Sequence, residues 1–213
     1  MNIQSIIEYL NDSNTQWSSR SNASVELPFE VTPSEYLSFA EKDLELNDVR
    51  GHINALSNTK RALDCQIDSI LFTFGLYGLA KRKNLNIPRK FNLIKELGII
   101  APRILSKINS VRNLVEHEYV RPSQEQVEDF YDIIQLFLLS TEKYILYYPD
   151  FCQIENDKRN EWLDFNYDRE AGYIEFVIHQ GGSEEIQTIK VESFDENYIG
   201  VYASYIKVAL SYD

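Results

Sequence analysis

The densest run of reactive side chains in the 213-residue chain is Val111-Arg112-Asn113-Leu114-Val115-Glu116-His117-Glu118-Tyr119. An imidazole exchanges a proton near neutral pH, and a guanidinium offers a rigid fork of donors matched to phosphoryl oxygens. On an ideal helix Asn113, His117 and Arg121 share a face, being four apart, as do Arg112 and Glu116. Arg112 and His117 are about 140° apart around that helix. They converge only through the long arginine side chain, through distortion near the helix end, or in a site shared between two molecules. The same spacing also serves plain architecture. Arg112 and Glu116 can form an i,i+4 ion pair worth roughly a few tenths of a kcal/mol. His117 can complement a helix C-terminus, and Tyr119 can be a half-buried aromatic.

Other reactive residues are scattered. His52 falls at the start of a long apolar helix pattern and reads as a surface or capping residue. By strand alternation His179 shares a face with Tyr173 and Glu175, opposite Ile174, Phe176 and Ile178. Three separated histidines and two distant cysteines, Cys65 and Cys152, give no zinc spacing, so no metal is expected. Asp64 and Asp68 lie one turn apart, a spacing that suits a cation and equally a solvated helix flank. Cys65 borders the apolar stripe and reads as a small buried hydrophobe. No Ser-His-Asp or Cys-His arrangement is apparent, and no cofactor is implied.

The elements that must hold these residues are mostly helical. A short helix is expected over Ile3–Leu10, followed by a polar stretch rich in Ser and Asn. Thr32-Pro33-Ser34-Glu35 is a capping box with Pro at the first helical position, opening a helix to about Leu46. Asp48 caps the next, whose Ile53, Leu56, Leu63, Ile67, Ile70, Leu71 and Phe74 keep a 3.6-residue rhythm to about Leu79. Gly75 and Gly78 near its end either admit a close neighbour or weaken its last turns. After the Asn84–Pro88 breaker, a helix is expected over Arg89–Leu97, stopped by Gly98. Another follows Pro102, with Ile104, Leu105, Ile108, Val111, Leu114 and Val115 inward, and ends near Tyr119 because Pro122 disfavours helical geometry at Arg121. A second capping box, Ser123 to Gln126, launches a helix with Val127, Phe130, Tyr131, Ile134, Leu138, Leu139 and Ile145 buried. Together these predict an antiparallel bundle of four main helices between about residues 33 and 148.

Beyond Pro149, charged loop residues lead into β-favouring runs at Trp162–Tyr167, Tyr173–His179 and Ile186–Val191. Gly-containing loops join them into an expected three-stranded antiparallel meander. Helical spacing returns at Tyr198, Val201, Tyr202, Tyr205, Ile206 and Ala209, with Asp195 as its cap. The division is therefore 1–31 for an N-terminal helix and polar loop, 32–148 for the bundle, and 149–213 for the meander and last helix. So small a sheet needs a cover, and its aromatic content predicts docking against the bundle.

Charge narrows the partners. The net charge of −12 repels nucleic acid on average. The window Lys81–Arg121, however, holds ten basic and three acidic residues, a balance of +7 that leaves −19 on the remainder. Only that window suits a polyanion, and a solvated helix face explains it equally on charge alone. Two cysteines fit a reducing compartment. The first eight residues lack a basic region and cleavage site, so a secretory signal is not expected. The most apolar stretch, Ile70–Ala80, falls far short of the roughly 20 residues of a membrane span. A cytoplasmic protein without a membrane partner is expected.

Arg112-Asn113, three residues, His117, one residue, Tyr119, at the end of a helix, resembles the HEPN superfamily (higher eukaryotes and prokaryotes nucleotide-binding domains). More narrowly, it is similar to the motif of the HepT-like toxin ribonucleases, over roughly residues 33–148. The resemblance implies a mainly α fold, a HEPN-like antiparallel helical bundle followed by the small three-stranded meander and terminal helix. It also implies a homodimer and metal-independent RNA cleavage of the toxin or defence type, with Arg112 and His117 catalytic at the dimer cleft. His117 would take the proton of a ribose 2′-hydroxyl, and Arg112 would hold the phosphoryl oxygens. Asn113 would hold a phosphate oxygen or orient His117. Tyr119 would accept adenylyl groups from a partner nucleotidyltransferase or antitoxin system. Arg121, Lys107 and Arg103 would bind RNA. The chain departs from that family in its extra segments at both ends and its acidity. These leave a second expectation, a non-catalytic, immunity-like module binding a nucleotide or a basic protein.

Overall fold

The computed structural model describes residues 1–99, 121–168 and 172–210. Asn2 accepts from the Ser5 N–H and opens α1 (Ile3–Leu10). The polar stretch that follows is a strand, β1 (Thr15–Ala23). Thr32 and Glu35 form the reciprocal capping box of α2 (Pro33–Leu44). Asp48 caps the 25-residue α3 (Val49–Thr73). Then come α4 (Tyr77–Arg82) and α5 (Ile87–Glu96), the latter capped by Asn86. Ser123 and Gln126 make the second capping box, for α6 (Gln124–Thr141), and α7 (Lys143–Leu146) is a single turn. The chain continues through β2 (Tyr148–Asn156), β3 (Glu161–Asp168), β4 (Tyr173–Gln180) and β5 (Ile186–Glu192) to α8 (Tyr198–Ala209).

The expected mainly α bundle with a three-stranded meander is not what forms. Five strands make one antiparallel sheet in the order β1-β2-β3-β4-β5. The three expected strands are present within a residue or so at each end; the two missed are β1 and β2. Trp17 opposes Ile154 and Arg20 opposes Cys152, both inward-facing partners on β2, yet Trp17 and Arg20 are three apart. A register shift between Trp17 and Ser19 makes that possible. A bulge of this kind erases the period of two by which a strand is read. In β2 the alternation is real, with Cys152, Ile154 and Asn156 buried. Pro149 and the charged residues after Glu155 make it look like a loop.

Elsewhere the differences are smaller. The rhythm of α3 stops at Thr73 rather than Leu79, because Gly75 takes a left-handed φ of 69° and turns the chain into α4. In α6, Leu139 is 64% exposed instead of buried. The helix expected after Pro102 lies outside the described residues.

The inner face of the sheet presents Cys152, Ile154, Leu163, Phe165, Ile174, Phe176, Ile178 and Val191, all buried. Over it lie α8 and α1. The Tyr205 ring stacks on Phe165 at 3.5 Å, and its hydroxyl donates to the Pro149 carbonyl at 2.7 Å. Tyr9 of α1 donates to the Glu161 carbonyl at 2.9 Å. Such tyrosines bury large apolar area while giving each polar tip a partner. The helical layer packs α2, α3 and α6 together, joined inside by Gln66 Nε2 donating to Thr141 Oγ1 at 2.8 Å. One continuous core runs through both layers. Phe74 marks the junction: its ring meets Tyr144, Tyr148 and Tyr202, and its carbonyl accepts from the Tyr198 hydroxyl at 3.0 Å. The aromatic C-terminal region is thus docked on the helices.

The two glycines after α3 should respond oppositely to alanine. At Gly75 a Cβ would lie 2.7 Å from the Tyr167 hydroxyl and 3.0 Å from that of Tyr198. Left-handed strain adds to that collision, so Gly75→Ala should destabilise by more than about 1 kcal/mol. At Gly78, inside α4, nothing lies within 4 Å, so Gly78→Ala should be neutral or stabilising by up to about 1 kcal/mol. Urea denaturation of both variants measures the contrast.

No described helix is long and apolar enough to cross a membrane.

Candidate functional site

Arg103, Lys107, Arg112, Asn113, His117 and Tyr119 lie outside the described residues. Arg121 is described. It is exposed and stands two residues before Ser123, the cap of α6. The other described cations of the basic window lie on α4, α5 and the turn between them, where Lys81, Arg82, Lys83, Arg89 and Lys95 are all exposed. Among the described residues Arg82, Lys83, Arg89, Lys95 and Arg121 have no ion pair. Lys90 differs, with Nζ 2.6 Å from Asp68 Oδ1. Among the described residues those other cations are therefore uncompensated, on an otherwise acidic protein.

The loop before α2, the middle of α3 and the start of α4 enclose a groove of about 590 Å³. Phe29, Tyr36 and Tyr77 line it, together with Arg61, Cys65 and Asp68. Phe29 meets Tyr77 edge-on, ring centroids 5.5 Å apart, and Lys81 Nζ sits 4.6 Å from the Tyr77 ring centre. The carboxylates noted on sequence, Asp64 and Asp68, face this groove, and each has drawn a lysine: Lys60 at 3.1 Å and Lys90 at 2.6 Å. Among the described residues no group of three or more His, Cys, Asp or Glu is placed to hold a metal ion. The sequence reading missed the groove. Its signal, Phe29 and Tyr36 flanking a capping box, is indistinguishable from ordinary helix anchoring.

Burial pushes the Cys65 thiol up to about 11, with the carboxylates of Asp68 and Asp64 pushing the same way. A raised pKa leaves less thiolate at any given pH. Iodoacetamide at pH 8 should therefore label Cys65 about 100-fold more slowly than a free thiol, and faster only as the pH approaches 11. Mass spectrometry of the labelled peptide reads this directly.

A second cluster sits on the open face of the sheet. His179 lies where strand alternation put it, directly across from Trp162. The two rings are parallel within 4°, centroids 5.0 Å apart. His179 Nε2 is 2.8 Å from Asp164 Oδ2, and Gln153 Nε2 donates to Asp164 Oδ1 at 3.3 Å. Stacking and hydrogen bonding fix the imidazole, and no hydroxyl or thiol reaches it in the described contacts. His52, by contrast, has a buried Nε2 with no hydrogen-bond partner among the described residues.

Comparison of the chain with protein-family models, with curated proteins and with solved structures returns no match.

Proposed function

We propose that the chain is a metal-independent endoribonuclease acting as a homodimer in the cytoplasm. Arg112 and His117 carry the chemistry, with Asn113 and Tyr119 beside them. Arg103, Lys107 and Arg121 would draw in the RNA backbone. His117 takes the proton of a ribose 2′-hydroxyl as that oxygen attacks the adjacent phosphorus. Each subunit contributes one His117 to the cleft; the bond to the 5′ oxygen breaks, and that oxygen receives a proton from the protonated His117 of the partner subunit. The products are a 2′,3′-cyclic phosphate and a 5′-hydroxyl. Arg112 binds the phosphoryl oxygens while negative charge gathers on them. A partner nucleotidyltransferase that adenylylates Tyr119 would place a bulky anion at the entrance and silence the site.

The reading rests on the sequence motif. The observation that favours it is a set of exposed cations, Lys83, Arg89, Lys95 and Arg121, without an ion pair among the described residues and placed on the segments either side of the motif. Phosphate backbones are bound by charge of this kind, which supplies most sequence-independent affinity. A site shared by two subunits makes a concentration-dependent enzyme. Activity per subunit on a labelled RNA should fall on dilution through the dimer dissociation constant and recover on reconcentration. Activity per subunit that stays constant in a protein sedimenting as a monomer contradicts the shared site.

The second reading, a non-catalytic module for a basic protein partner, is favoured by the open sheet face. Glu155, Asp164, Glu175 and Glu192 lie there with one lysine, Lys190, among the described strand residues. Binding of a basic protein by a chain that leaves RNA intact would establish it.

A further inference from the structure

From the groove bounded by Phe29, Tyr36 and Tyr77 we infer that the helical layer carries a second RNA contact, a stacking subsite for an unpaired nucleotide of the strand that the cations draw in. The inference takes its substrate from the ribonuclease reading, and its geometry is independent of the motif.

Three features argue for an unpaired nucleotide. The first is aromatic: Tyr36 and Tyr77 are half-buried, so their rings are neither lost in the core nor free. Single-stranded nucleic acids bind by stacking bases on such rings along a positively charged track. The second is continuity. Two lysines of the basic window touch the lining itself, Lys81 over the Tyr77 ring at 4.6 Å and Lys90 on Asp68 at 2.6 Å. A strand held by these two lysines lies against the groove. The third is charge. The lining holds Glu30, Asp64 and Asp68 against Arg61, and three lysines reach it from outside: Lys60 on Asp64, Lys90 on Asp68 and Lys81 over Tyr77. Salt bridges already neutralise Asp64 and Asp68, so the groove does not repel a phosphate. Asp68 keeps Oδ2 without a partner among the described residues, an acceptor for the exocyclic amine of adenine or cytosine. A volume of about 590 Å³ takes a nucleotide with room for its sugar. A duplex cannot present a base to this groove, so the ligand is single-stranded RNA.

The test is fluorescence anisotropy with fluorescein-labelled oligoadenylate, in the His117→Ala chain so that the probe stays intact. Tyr36→Ala should weaken binding about tenfold with little change in salt dependence. Lys81→Gln and Arg61→Gln alter exposed side chains and leave the core untouched. Each should make the slope of log affinity against log salt shallower by about 0.7. Oligouridylate, which lacks an exocyclic amine, should bind more weakly, and equal binding overturns the role given to Asp68. If Tyr36→Ala, Lys81→Gln and Arg61→Gln all bind as the parent does, the subsite is overturned, whether or not the chain cleaves RNA. If binding depends on them while the wild-type chain cleaves nothing, the subsite stands and the ribonuclease reading falls. An arginine-rich peptide that loses affinity on the same substitutions, while RNA does not, overturns the inference in favour of a protein partner.

Discussion

His117→Ala should slow RNA cleavage by about 10²- to 10⁴-fold, the usual worth of a positioned general base. Arg112→Ala should cost roughly 10² to 10³, the loss of one donor to a developing oxyanion. The two groups act on different atoms of one step, proton and phosphoryl oxygen, so neither substitutes for the other. Both variants should keep the far-ultraviolet circular dichroism of the parent. The described core rests on Phe74, Phe165, Tyr202 and their neighbours, none of which is altered. Single-turnover cleavage of a labelled RNA is the measurement. A His117→Ala chain as fast as wild type would mean that the segment is a helix-end ion pair and cap.

Phe74→Ala should cost about 3–5 kcal/mol, as for other buried aromatics cut back to alanine. Phe74 is fully buried, and its ring lies 5.1 Å from that of Tyr202 on α8 and 6.0 Å from that of Tyr148 on β2. The cavity would open between the helical layer and the sheet layer. For a chain of this size each kcal/mol lowers the melting temperature by about 2–4 °C, so a fall of roughly 6–20 °C is expected in calorimetry. Because one core spans both layers, wild type and variant should each melt in a single transition. Two transitions, with only one moved by the substitution, would show that the sheet layer folds independently.

Helices were legible here because their signals are local. The capping boxes at Thr32 and Ser123 and the cap at Asp48 are each written within four residues, and each forms as read. The strands β3, β4 and β5 were legible because their apolar alternation meets Gly-containing turns. By contrast β1 exists through its partner. Its Ser- and Asn-rich sequence has little strand preference, and it is held by pairing with β2, more than 120 residues away in the chain. Leu139 was misplaced for a related reason: an apolar residue fits a helical period whether or not a neighbour covers it. At the candidate sites the sequence supplied residue types and spacing. Facing of His179 by Asp164 and Trp162 followed only once the β3–β4 register was known. The aromatic groove needs three separate segments, around residues 29, 36 and 77, to come together. No local pattern encodes that meeting.

The most direct test of the ribonuclease account is to identify the ends of the RNA fragments made by the purified wild-type chain in excess EDTA. Attack by the RNA's own 2′-oxygen predicts that cleavage persists in the chelator and leaves 2′,3′-cyclic phosphate and 5′-hydroxyl ends. Cleavage that stops without divalent metal, or that leaves 3′-hydroxyl and 5′-phosphate ends, would contradict it.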